Sequence, residues 1–97
     1  MTATYMVMVA TEREFNNLCA AEEGAILSIR YGRPTPGPAQ GKARSALQWN
    51  DRNSRVTAFT VTSKTEEGGN VVLAGRIADA SGTLTLYPRY TTAALVI

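Results

Sequence analysis

The 97-residue chain contains no histidine and only one cysteine, Cys19. The first absence removes the commonest general base, the Ser-His and Cys-His nucleophile pairs and the usual imidazole metal ligand. The second excludes an internal disulfide and, without histidine, a structural zinc site; a lone thiol also fits a reducing compartment. Long apolar runs are missing too. The longest, Tyr5 to Ala10 and Ala93 to Ile97, fall far below the roughly 20 residues that cross a bilayer as a helix. The N-terminal MTATYMVMVATERE lacks a basic region and runs straight into acidic residues, so it does not read as a signal peptide. The expectation is a water-soluble cytoplasmic protein, one domain over residues 1–97, with no membrane contact.

Charge is sparse and nearly balanced: ten Lys and Arg face eight Asp and Glu, for a net charge of +2. That excess permits a polyanionic partner without requiring one. The carboxylates fall as Glu12/Glu14, Glu22/Glu23 and Glu66/Glu67, with Asp51 and Asp79 single. The first two pairs sit at expected helix ends and the third in an expected turn, where acids are solvated rather than catalytic. Gly68-Gly69-Asn70 lacks the Lys and Ser/Thr of a phosphate loop. These absences predict no enzyme, no cofactor and no metal. Cys19, on an apolar helix face, reads as a small buried hydrophobe.

What is present is a β pattern with one helical interruption. Tyr5 to Ala10 reads as a strand, and Thr11-Glu12-Arg13-Glu14 fits a capping box that opens a helix. Phe15, Leu18, Cys19 and Glu22 share one face of that helix, and Gly24 supplies a left-handed stop. Period-two alternation follows, with Leu27, Ile29 and Tyr31 against Ile26, Ser28 and Arg30. Gly32 to Lys42, with its three prolines and three glycines, predicts a long loop.

A third strand is expected around Leu47 and Trp49, with a turn at Asp51 to Ser54. Arg55 to Lys64 alternates Thr57, Phe59 and Val61 against Val56, Ala58 and Thr60. Hairpins are expected at Glu66 to Asn70, into a strand from Val71 to Ala80, and at Ser81-Gly82, into Thr83 to Tyr87. Pro88 marks a bend before a last segment, Tyr90 to Ile97. The fold class is α+β: an antiparallel β-meander or half-barrel of five to six strands, with one short helix after the first strand.

The least balanced stretch carries the functional expectation. The 26 residues between Gly24 and Asp51 hold four positive charges, Arg30, Arg33, Lys42 and Arg44, and no negative ones. They sit at the two stems of the Pro/Gly-rich loop, where they can neutralise a phosphate backbone, with Tyr31 offered to a base. Tyr87-Pro88-Arg89-Tyr90 forms a second Tyr/Arg cluster, and Trp49, Arg52 and Arg55 a third. Convergence of these groups with Tyr31 would give a stacking surface for single-stranded nucleic acid. The candidate binding residues are therefore Arg30, Tyr31, Arg33, Lys42, Arg44, Arg52, Arg89 and Tyr90.

Two other readings stand beside this one. Tyr and Arg are also enriched at protein interfaces, so the same residues suit an acidic protein surface, as in a small phage- or mobile-element-type inhibitor or adaptor that occludes a host protein. The apolar C-terminus could instead add a strand across a homodimer or higher oligomer, with Leu95, Val96 and Ile97 at the interface.

Overall fold

The computed structural model of the chain describes residues 3–34 and 54–97, with Arg33 and Pro34 described by their backbone alone. Six strands and one helix make up the described chain: β1 (Thr4–Val7), α1 (Glu12–Cys19), β2 (Ile26–Pro34), β3 (Ser54–Glu67), β4 (Asn70–Ile77), β5 (Ala80–Tyr87) and β6 (Thr92–Val96). The expected meander closes completely. Each strand pairs antiparallel with its sequence neighbours, and β6 returns to β1, matching Thr4 with Val96 and Val7 with Ala93. Beyond the ladder, Ala3 and Ile97 exchange backbone hydrogen bonds at 2.8 and 3.1 Å. Closure removes every sheet edge among the described strands, the liability that an open meander would carry.

The alternation read from the sequence sorts side chains to the two sides of the barrel wall. Phe59, Val61, Leu73, Leu84, Leu86 and Leu95 are each at most 1 % exposed and fill the interior, each contributing about 1.5–3 kcal/mol of burial. Helix α1 caps this core with Phe15, which joins the same cluster as Val9 and Ala21. Its N-terminus is built as the capping box predicts: the Glu14 amide donates to Thr11 Oγ1 at 3.1 Å. The Glu14 carboxylate reaches one residue further back than the motif requires, accepting from the Ala10 amide at 3.1 Å.

Several boundaries differ from the sequence expectation. Helix α1 stops at Cys19, well before Gly24, which instead uses its φ of +93° to turn the chain into β2 while its amide donates to the Val61 carbonyl. Strand β2 runs through Gly32 to Pro34 rather than ending at Tyr31, because β1 pairs with it there. The β3–β4 turn falls at Gly68-Gly69 as expected, both with positive φ, the requirement of a tight hairpin whose twist matches its strands. The β4–β5 turn falls at Ala78-Asp79, not Ser81-Gly82. Gly82 serves packing instead: it stands opposite Gly75 in the β4–β5 ladder, and a Cβ there would lie 2.9 Å from the Ile97 side chain. The expected third strand around Leu47 and Trp49 lies outside the described residues, as does the expected turn at Asp51 to Ser54 except for Ser54, which opens β3 opposite Gly32 instead.

Candidate nucleic-acid interface

The site grows from the β2–β3 ladder. Alternation along β2 turns Ser28 and Arg30 outward and Ile29 inward, and the register then sets their partners on β3: Arg30 opposite Val56, Tyr31 opposite Arg55, and Gly32 opposite Ser54. Arg30 is held in place. Its guanidinium donates to Ser54 Oγ at 2.7 Å, a charge-assisted bond that fixes the head group against the barrel wall.

Tyr31 is not the freely projecting ring the sequence suggests. It packs half-buried against the core and meets Tyr5 edge-to-face, with ring centroids 5.3 Å apart and an interplanar angle of 75°. Arg55, directly across the ladder from it, is exposed. The convergence of Arg55 with Tyr31 is therefore a matter of register, and it brings together two groups from separate sequence clusters.

Arg33 lies on β2, three residues beyond Arg30. Arg89 and Tyr90 occupy the exposed β5–β6 turn, which is closed by the Tyr90 amide donating to the Tyr87 carbonyl at 3.1 Å; Tyr90 is 40 % exposed. Only β1 separates β2 from β6, since Val7 has Tyr31 on one side and Ala93 on the other. Strands lie about 4.8 Å apart across a ladder, so the ladder position of Ala93 is two strand spacings from that of Tyr31. Lys42, Arg44 and Arg52 lie outside the described residues.

The C-terminal trio is split. Leu95 is fully buried in the interior of its own chain, while Val96 and Ile97 keep partial exposure. Both sides of β6 are already taken by β1 and β5, so the C-terminal strand offers no free edge on which a second copy could add.

A groove that sequence periodicity could not reveal lies beside Arg30, between α1 and the outer face of β2. It has a volume of about 410 Å³ and carries Met8, Leu18 and Val56 on its walls, with Asn17, Ser28 and Arg30 as polar groups. Glu14 stands on the helix side, its carboxylate engaged by the Ala10 amide. Val56, on β3 opposite Arg30, is 56 % exposed, and Ile26, at the start of β2, is 72 % exposed, the two most exposed large apolar side chains described. Cys19 is half-buried and free; burial pushes its thiol pKa up, and the charge of Lys64 only partly offsets this. A thiol held neutral is a poor nucleophile.

Among the described residues no helix is long and apolar enough to cross a membrane. Comparison with protein-family models, with curated proteins and with solved structures yields no match to this chain.

Proposed function

We propose that this chain is a non-enzymatic, cytoplasmic nucleic-acid-binding module that prefers single strands and meets the phosphate backbone with the arginines of β2 and β3. One observation carries the reading. Strand β2 (Ile26–Pro34) and the part of β3 that pairs with it, Ser54–Thr60, contain Arg30, Arg33 and Arg55 and not one Asp or Glu. Phosphate contacts of this kind supply affinity and register rather than sequence readout. The sequence joining the two strands adds Lys42, Arg44 and Arg52, and the exposed β5–β6 turn adds Arg89 and Tyr90.

The test is fluorescence anisotropy of labelled single- and double-stranded oligonucleotides over a salt series. Binding should fall steeply with salt, and Arg55→Ala should reduce the slope of log K against log salt by about 0.7 on single strands. The Arg30→Ala/Arg33→Ala double variant should lose at least that much twice over. Absence of binding at the lowest salt would remove this reading.

A second reading, occlusion of a host protein, is favoured by the exposed Val56 opposite Arg30 and the exposed Ile26 at the start of β2, an apolar-plus-Arg composition that suits an interface centre. Its discriminator is a pull-down from host lysate. Failure to recover a stoichiometric protein partner counts heavily against it.

A further inference from the structure

Resting on the nucleic-acid reading, we infer that the groove between α1 and β2 is a slot for one unstacked base, with the phosphate of that nucleotide on Arg30. The groove has the composition such a slot needs. Met8, Leu18 and Val56 present apolar surface to the faces of a planar ring, and Asn17 and Ser28 stand among them with hydrogen-bonding side chains. Enzymes and binders that take a base out of its stack hold it in this way, between apolar or aromatic groups and against polar groups that meet its edge. Neither Asn17 nor Ser28 has a side-chain hydrogen bond to another described residue, and both are exposed.

The charges flanking the groove assign the two ends of the nucleotide. Arg30 is positioned by Ser54 at 2.7 Å and makes a further interaction besides; a guanidinium carries five N–H donors in a fixed fork, and a phosphate is met by those that these contacts leave. Glu14, on the helix wall, repels a phosphate from the groove itself and leaves the neutral base as the part that enters. A duplex keeps its bases stacked and paired and presents none of them to a slot in a barrel wall. The groove thus gives a physical reason for a preference for single strands, which the arginines alone do not.

The experiment uses the full chain and three labelled probes of equal length: an oligothymidylate single strand, a duplex, and a single strand of abasic sites. Wild-type protein should bind the oligothymidylate about ten-fold tighter than the abasic strand or the duplex, the gain expected from one held base. Ser28→Trp fills the groove from an exposed strand position, so it should erase that preference and bring oligothymidylate binding down to the level of the abasic strand. Thermal unfolding of the variant at the wild-type temperature confirms that the fold persists. Asn17→Ala, which removes only a hydrogen-bonding group, should lower oligothymidylate binding several-fold without altering the salt slope. Equal wild-type binding to all three probes, or a preference that survives Ser28→Trp, would overturn the slot and leave the phosphate-binding reading standing. No binding to any probe at the lowest salt would overturn both.

Discussion

Lys64 of β3 donates from Nζ to the carbonyl oxygen of Cys19 at 2.7 Å, at the last residue of α1. That helix has no basic residue in its own last turn, and its exposed carbonyls attract positive charge. The cation comes from the barrel instead. Lys64→Met, which keeps the apolar stem, should cost about 1–2 kcal/mol in chemical denaturation and lower the melting temperature by about 4–8 °C for each kcal/mol. The Glu22 carboxylate is 3.5 Å from the same Nζ and 77 % exposed, so Glu22→Gln should change stability by less than about 0.5 kcal/mol. Equal losses in the two variants would make the ion pair, not the carbonyl bond, the anchor.

Gly75 has no room for a side chain. A Cβ there would lie 2.7 Å from the Phe59 ring and closer still to the Thr60 carbonyl oxygen, next to the irregularity that shifts the β3–β4 register between Val61 and Ser63. Gly75→Ala should destabilise by about 2–3 kcal/mol or prevent folding, as overpacking against backbone does. Gly82→Ala meets the Ile97 Cγ2 methyl at 2.9 Å but no backbone atom closer than 3.4 Å and should cost less. Denaturant midpoints for the two variants check the order.

The raised thiol pKa of Cys19 gives stability a direction with pH. The fold favours the neutral thiol, chiefly by burial, so its contribution is fully present below the unfolded thiol value of about 8.5. It is lost as pH rises from there through the higher folded value. Wild-type stability should therefore decline above about pH 8.5 more than that of Cys19→Ala, and iodoacetamide at pH 8 should modify native Cys19 more slowly than a peptide thiol. Matching pH profiles for wild type and variant would refute the assignment.

Leu95 is buried within a single chain. Leu95→Ala should cost about 2–5 kcal/mol, the range for emptying a packed core site, and the loss should not depend on protein concentration. A loss that grows on dilution would return the C-terminal strand to the oligomer interface that its sequence suggests.

Local chemistry made much of this fold legible. The capping box at Thr11, the alternation around Ile29 and Phe59 and the Gly68-Gly69 turn all follow from constraints within a few residues. The closure of β6 onto β1 does not, because two short strands at opposite ends of the sequence pair only when the whole sheet coils. The β4–β5 turn misled for a related reason: Gly82 has the residue type of a turn but is required by the close approach of the Ile97 side chain, while Ala78 accepts a φ of +48°.

The candidate site divides along the same line. The basic bias of β2 is visible in composition, but the pairing of Arg55 with Tyr31 depends on register. The turning of Tyr31 onto Tyr5 depends on the pairing of β1 with β2, and the groove exists only once α1 has packed beside that face.

The seam between β1 and β6 has a consequence for the chain as it is made. β1 leaves the ribosome well before its partner, so until β6 emerges the growing sheet has two unsatisfied borders, one along β1 and one along β5. Each is a template for a foreign strand, and long-range pairing of this kind is slow. The hazard of misassembly is therefore concentrated in the interval before the last strand arrives, and a chain that stalls in that interval should be the aggregating species.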